Sequence, residues 1–384
     1  MKPKKRMKIV KRNSTIFFLI VLVTLLSSCE EFEEYTYYPK ENIPVSDGID
    51  SAKASALLYD LTELLNSNEL LGIQVCVAHN QQSIWSASLG TLDPGQSVPV
   101  KNHHLLRIGS VTKIYTATLI MRLVEEGYLS LETNIADFYT QNTNIKEVTV
   151  QHLMEHTSGI RDIFTMPAIL INATNFPDKQ WNPRQLAKTC MEKSLHFEPG
   201  SDYSYSNTNY ILLGLIAEKV TGIKINELYS KYITEPLGLA DTRFVPYDPP
   251  PSNLISGYVH HYALSFLEWY PTEPENISWS TLAFSAGAMV TTATELATFM
   301  QYLFSGEIVS PESLEAMKGL SNGKGKGLVS TNINGTPYYG HEGEITGFES
   351  MVLYQPETGW TIAVCSNTTP FQVKEAVRII NSQL

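Results

Sequence analysis

Residues 105–127 read LLRIGSVTKIYTATLIMRLVEEG. Ser110 stands where a helix N-terminus is expected, because serine is a favoured cap and the run after Val111 is apolar almost all round until Arg122, Glu125 and Glu126. Gly127 supplies the stop. A helix apolar on every side is a buried helix, so Ser110 and Lys113 are carried at the end of a core element, one turn apart on one face. The hydroxyl is then expected near unpaired backbone N–H groups and the positive end of the helix dipole, and a desolvated lysine beside it can lose its proton and act as a base. By itself S-x-x-K is short enough to recur by chance, and a capped helix with a stray lysine is the plainer explanation of it. Its partners elsewhere in the chain have to decide.

Before those partners are sought, the N-terminus has to be set aside. Lys2, Lys4, Lys5, Arg6, Lys8, Lys11 and Arg12 form a basic region, Ile16 to Leu26 an apolar core, and Leu26-Ser27-Ser28-Cys29 a small-residue exit ending in cysteine. The pattern resembles a bacterial lipoprotein signal, with residues 1–28 removed, Cys29 lipidated, and the protein exported and anchored to a cell-envelope membrane. Residues 29–50, acidic and aromatic without periodicity, suit a tether. Removing the precursor segment leaves 21 Lys+Arg against 39 Asp+Glu, a net charge of −18. A surface this acidic argues against nucleic-acid binding, since phosphates would be repelled. Cys76, Cys190 and Cys365 cannot all pair internally and lack metal-ligand spacing, so no thiol chemistry, metal or other cofactor is expected.

The remainder, 51–384, has the composition of a globular domain, with 43% hydrophobic and 17% charged residues over the whole chain. Helical periodicity runs over 51–66, and two strands are expected at 72–78 and 83–89, joined as a hairpin through His79-Asn80-Gln81-Gln82. Further helices are expected at about 151–156, 183–193, 207–220, 225–233, 292–304 and 311–317, separated by turn signals such as Glu198-Pro199-Gly200. Residues 244–280, with Pro249-Pro250-Pro251 and many aromatics, suit a long loop that either packs on the body or forms part of a binding rim. Strands return at about 337–339, 348–354 and 360–366 before a closing helix at 372–380. Strands at both ends imply a sheet assembled from the two chain termini, with a helical subdomain inserted over about 128–285: an α/β plus all-α organisation.

Gly109-Ser110-Val111-Thr112 does not match the G-x-S-x-G elbow. The chain offers instead S-x-x-K at Ser110 and Lys113, Tyr205-Ser206-Asn207 opening a helix, and His341-Glu342-Gly343 beside a strand. In this order the three elements resemble the serine-active β-lactamase and penicillin-binding-protein superfamily, and within it the branch of class C β-lactamases, D-alanyl-D-alanine carboxypeptidases and esterases, where Y-x-N and H-x-G occur. The likeness extends from about Ala54 to the C-terminus and includes the flanks LMEHTSGI (153–160), FEPGSDYSYSNTN (197–209), Ala286-Gly287-Ala288-Met289 and GHEGEITGF (340–348).

The resemblance implies an antiparallel sheet flanked by helices, a β-lactamase/transpeptidase-like fold, and hydrolysis of an amide or ester in a small peptide, ester or β-lactam-like substrate. Carried over residue by residue, Ser110 is the nucleophile that forms an acyl-enzyme and Lys113 holds and deprotonates it. Tyr205, its pKa lowered by Lys113, shuttles a proton, and Tyr203 is a decoy. Asn207 orients Lys113 or contacts the substrate amide, and His341 is the basic residue lining the cleft beside Gly343. The backbone N–H groups of Ser110 and Glu344 form the oxyanion hole.

One departure carries information. Glu342 and Glu344 flank Gly343, and strand alternation sends both to one face. If that face is the cleft, they repel a substrate carboxylate and favour esters, or peptides with a free amine; the alternative turns them to solvent. Two other readings stand beside this one. One is a surface-anchored protein that keeps the fold and acylates once or not at all. The other is a zinc peptidase built on His152, Glu155 and His156, which match H-x-x-E-H on a helix. The adjacent pairs His103-His104 and His260-His261 point apart and suit packing or surface positions.

Overall fold

The computed structural model describes residues 49–384 apart from 69, 96–97, 143, 248, 264–265, 320–324 and 371–372. The precursor segment, Cys29 and nearly all of the tether therefore lie outside the described residues.

Both ends of the domain enter one six-stranded antiparallel sheet. Its order is Gln82–Gly90, Gly72–His79, Thr361–Ser366, Phe348–Tyr354, Thr336–Ile345, Val329–Ile333. Gly72–His79 is apolar and buried along nearly its whole length, as a central strand covered on both faces should be. It turns into its neighbour through Asn80 and Gln81, both at positive φ (50° and 61°), the geometry a tight hairpin asks of asparagine.

Helices Ser51–Ser67 and Val373–Asn381 pack together over one face, sealing a core of Leu57, Leu61, Trp85, Ile362 and Val377. The opposite face carries the larger core. There Ala293–Phe304 lies against the sheet, while Thr112–Glu125 and Asn207–Thr221 sit side by side behind it. Thr112–Glu125 is apolar all round, and every residue from Thr112 to Met121 is buried. Gly127, at φ +76°, turns the chain out of it.

The sheet built from both termini is as expected; several boundaries are not. The strand expected over 337–339 runs from Thr336 to Ile345, because Phe348–Tyr354 pairs with it along its length. Val329–Ile333 is an additional edge strand, joined only to residues 336–340. The stretch read as a long loop contains a hairpin, Gly257–Ala263 with Phe266–Thr272, that forms a small sheet with Thr368–Thr369. The inserted segment 128–285 is thus not purely helical, since it also contributes Arg243–Phe244 to a sheet with Met289–Thr291 and Leu106–Arg107. That last strand leads directly into the serine.

Candidate active site

Ser110 does not cap the helix. It sits in the middle of a one-turn 3₁₀ segment, Gly109–Val111, that feeds into Thr112–Glu125, and Gly109 takes φ +48° to make the corner. The Ser110 hydroxyl is thereby free of capping duty and faces two partners. Lys113 Nζ lies 2.9 Å from Ser110 Oγ, and the Tyr205 hydroxyl donates to the same oxygen at 2.7 Å. Tyr205 reaches it from the segment just before the helix Asn207–Thr221.

Lys113 is completely buried, and its nitrogen also meets Asn207 Oδ1 and the Ala286 carbonyl, both at 2.8 Å. Burial pulls its pKa down to about 7, with Asp162 acting in the opposite direction. The amine is therefore poised to accept a proton near neutrality. Burial pushes the Tyr205 phenol upward, with the Ser110 hydrogen bond opposing, so the expectation that Lys113 lowers the tyrosine is corrected. Tyr205 is thus held as a neutral phenol able to donate, and Lys113 is the group placed to accept a proton. The Tyr203 ring lies 6.0 Å from that of His156, and Tyr203 is not among the residues lining the cleft at Ser110.

His341 lies on the strand Thr336–Ile345 and is buried beside the site. Its Nδ1 meets the Glu342 carbonyl, and a carbonyl only accepts, so Nδ1 carries the proton. Burial, then the proximity of Lys113, push its pKa down to about 4. At neutral pH the side chain in this place is therefore an uncharged imidazole.

The strand edge and the serine turn meet through two glycines. A Cβ on Gly343 would stand 2.1 Å from the Ile108 carbonyl oxygen and 2.9 Å from Ser110 N, and one on Gly109 would stand 2.8 Å from Glu344 N. Ile345 and Phe348 flank a two-residue turn, which makes Glu344 and Glu349 the next, non-hydrogen-bonded pair. The Glu344 N–H therefore points off the edge, toward the serine turn. The two backbone donors named from the sequence are brought to one place.

A cleft of about 500 Å3 opens here, lined by Ser110, Tyr205, His341, Glu342, Gly343, Glu344, Glu349 and Val373. Glu342 and Glu344 are both exposed and both line it, and Glu342 is paired with Lys374 at 2.9 Å. A cavity of about 530 Å3 lies elsewhere, between Asn226–Thr234 and Arg243–Phe244, and contains none of these groups. The H-x-x-E-H segment is not a ligand set. Its helix ends at Met154, His156 takes φ +60° and accepts from Ser206 N at 3.1 Å, His152 Nδ1 accepts from Thr149 N at 3.2 Å, and Glu155 pairs with Lys326 at 2.6 Å.

Sequence reasoning missed Asp162. Its carboxylate accepts from Asn207 N and Asn207 Nδ2, each at 3.1 Å, and from Phe164 N at 3.1 Å. The available signal was an aspartate two residues beyond the LMEHTSGI flank, in a position to cap the turn Ile163–Thr165.

Residues 60–383 match the model of the Beta-lactamase family, and the chain belongs to that family. Penicillin-binding protein 4 of Amycolatopsis lactamdurans is 29% identical over 308 residues, which cover 72% of this chain and 76% of that protein. Protein flp of Staphylococcus aureus (strain N315) is 24% identical over 342 residues, 83% of this chain but only 64% of its own length. Among solved structures, the D-amino acid amidase of Ochrobactrum anthropi SV3 with L-phenylalanine amide superposes with a TM-score of 0.77 at 25% identity, covering 87% of this chain and 98% of that one. A D-stereospecific amidohydrolase from Streptomyces sp. shares the fold, with a TM-score of 0.72 at 23% identity over 86% and 98% of the two chains. The class is a hydrolase of the serine β-lactamase and penicillin-binding type, acting on amide or ester bonds.

Proposed function

We propose that this protein hydrolyses amide or ester bonds through an acyl-enzyme on Ser110, with a preference for substrates that carry no carboxylate beside the scissile bond. In this reading Ser110 Oγ bonds to the carbonyl carbon and its proton passes to the neutral Lys113 amine. The carbonyl oxygen, now negative, is received by the N–H groups of Ser110 and Glu344. The bond to the leaving nitrogen or oxygen breaks as Tyr205 gives that atom its proton, and the Lys113 ammonium restores the phenol. Water then adds to the acyl carbon, its proton returns through the same groups to Ser110 Oγ, and the acid is released.

The observation that carries the reading is Lys113 Nζ at 2.9 Å from Ser110 Oγ with burial holding its pKa near 7. The substrate preference rests on the cleft wall, where Glu342, Glu344 and Glu349 outnumber the one lysine, Lys374, that pairs with Glu342, and His341 is neutral. Such a wall repels an anion and accepts an ammonium group. The likeness to a D-amino acid amidase favours the same choice. The test is intact mass after a fluorophosphonate: a single adduct on the wild-type protein and none on Ser110→Ala, followed by turnover of amino-acid amides and esters in preference to N-acylated, carboxylate-bearing peptides. An unlabelled wild type, or full turnover by Ser110→Ala, refutes it.

Export and lipid attachment at Cys29 are proposed from the sequence pattern alone. Mass spectrometry of the mature N-terminus tests them, and an unmodified Cys29 rejects them.

A further inference from the structure

The Lys113 nitrogen has three oxygen neighbours: Asn207 Oδ1, the Ala286 carbonyl and Ser110 Oγ. A neutral amine has two N–H bonds and one lone pair. Carbonyl oxygens can only accept, so Asn207 and Ala286 take the two N–H bonds. The lone pair is left for the one neighbour that can donate, the Ser110 hydroxyl. This assignment holds only while Asn207 keeps its oxygen on the lysine. Reversed, its NH2 group would face Lys113 and take the lone pair that the serine needs.

What decides the orientation of Asn207 is a carboxylate, which has no proton to give. Asp162 Oδ2 accepts from Asn207 Nδ2 at 3.1 Å, and Asp162 Oδ1 accepts from the Asn207 backbone N at 3.1 Å. Asp162 is itself fixed, because Oδ1 also accepts from Phe164 N. The contact lies at the start of the fifteen-residue helix Asn207–Thr221, where the helix dipole favours negative charge. We propose that Asp162 is a positioning residue that locks the Asn207 amide and so leaves the Lys113 lone pair on Ser110. This rests on the acyl-enzyme reading above, and it adds a residue that touches neither the serine nor the cleft.

Asp162 also acts on the lysine through its charge. The other titratable groups facing Lys113 are the rings of Tyr205 and Tyr210, 4.8 and 5.7 Å from Nζ, and His341. Burial keeps both phenols protonated and the imidazole uncharged at neutral pH. Glu342, from the cleft wall, acts on Tyr205 and His341, and Asp162 acts on the thiol of Cys190. Among these groups Asp162 is the negative charge that supports the ammonium form of Lys113.

The experiment compares Asp162→Asn with wild type, with rates normalised to sites titrated by fluorophosphonate. The expected result is a fall in kcat/KM of roughly 10- to 100-fold per titrated site, the scale of loss when the partner orienting a metal ligand is removed. The acid limb of the pH profile should move to lower pH, because a negative charge beside Lys113 is gone. Where Asp162→Asn does not fold, Asp162→Ser decides, since its hydroxyl can still cap the turn at Phe164 but does not span to both Asn207 nitrogens. Asp162→Glu, which keeps the charge, should leave the acid limb at its wild-type position. A structural role alone would lower the titre of active sites and leave rate per site and acid limb unchanged, and that outcome overturns the proposal. If wild type takes no label, the serine-hydrolase reading itself has failed.

Discussion

Ser350 Oγ donates a 2.8 Å hydrogen bond to the carbonyl of Ile108, two residues before Ser110. Ser350 is fully buried in the strand Phe348–Tyr354, so this bond ties the sheet to the corner that presents Ser110. Ser350→Ala leaves the Ile108 carbonyl without that donor, and a loss of about 1–3 kcal/mol in unfolding free energy is expected. Urea denaturation measures it; an unchanged midpoint and slope would remove Ser350 from the account.

Gly343→Ala is expected to act on chemistry more than on stability. The added methyl group would press on the Ile108 carbonyl and on Ser110 N, prising the strand edge from the serine turn. Loss of one oxyanion donor costs about 10²–10³ in kcat. Stopped-flow ester acylation reads the step directly, and a rate within a few-fold of wild type would mean that the two N–H groups do not share one oxyanion.

The activity of wild type should depend on pH in one direction. Protonated Lys113 has no lone pair, so kcat/KM is expected to rise with pH up to about 7 and level off above it. His341, pushed down to about 4, adds no limb above that value. Stability shares the sign. The unfolded lysine binds its proton up to its ordinary pKa of 10.5 while the folded one releases it near 7, so this group makes stability rise with pH across that window. A profile that falls between pH 6 and 8 would contradict the assignment of Lys113 as base.

Tyr205→Phe separates the two proton carriers. The variant keeps the buried ring and loses the proton for the leaving atom, so amides should slow by about 10²–10⁴. Nitrophenyl esters, whose leaving group departs without help, should slow much less. Equal losses on both substrates would place the tyrosine in attack rather than departure.

Charge reversal at the mouth tests the substrate class. Glu344→Lys puts a cation on the cleft wall while keeping the backbone N–H. Carboxylate-bearing substrates should gain roughly three- to tenfold in kcat/KM over amine-bearing ones, an effect that shrinks with added salt. No change in the ratio would mean that these carboxylates do not meet the substrate.

Much of this molecule was legible because its signals are periodic or ordered along the chain. The helix after Ser110, the hairpin around Asn80 and the strands 348–354 and 361–366 follow from apolar patterning. Ser110, Lys113, Tyr205, Asn207, His341 and Gly343 stood out as motifs in sequence. What escaped lacks such a signal. Val329–Ile333 reads VSTNI, too polar for a core strand, and it is held only at an edge. Residues 340–345 contain two glycines, which weaken any strand pattern, yet Gly343 is small because the serine turn lies against it. The aromatic stretch around Tyr258 resembled a loop because its prolines outweighed its strand-forming residues. In the site, Asp162, Ser350 and the Ala286 carbonyl act through partners nearly fifty to 240 residues away, and a carbonyl leaves no mark in the side-chain alphabet. The pKa assignments were equally hidden, since burial was legible for Lys113 but not for Tyr205.

The sheet assembled from both ends also governs how the chain is made. Ile73 pairs with Ser366, so the strand Gly72–His79 waits for almost three hundred further residues before its second neighbour exists. Contacts this distant close slowly, because the intervening chain has to be ordered first. Until ribosomes have delivered Thr361–Ser366, the hairpin Gly72–Gly90 keeps an apolar edge open to any passing strand. Nascent chains arrested before residue 361 are thus expected to bind holdase chaperones and to lack a formed corner at Ser110, while synthesis through Thr361–Ser366 lets sheet and corner form together.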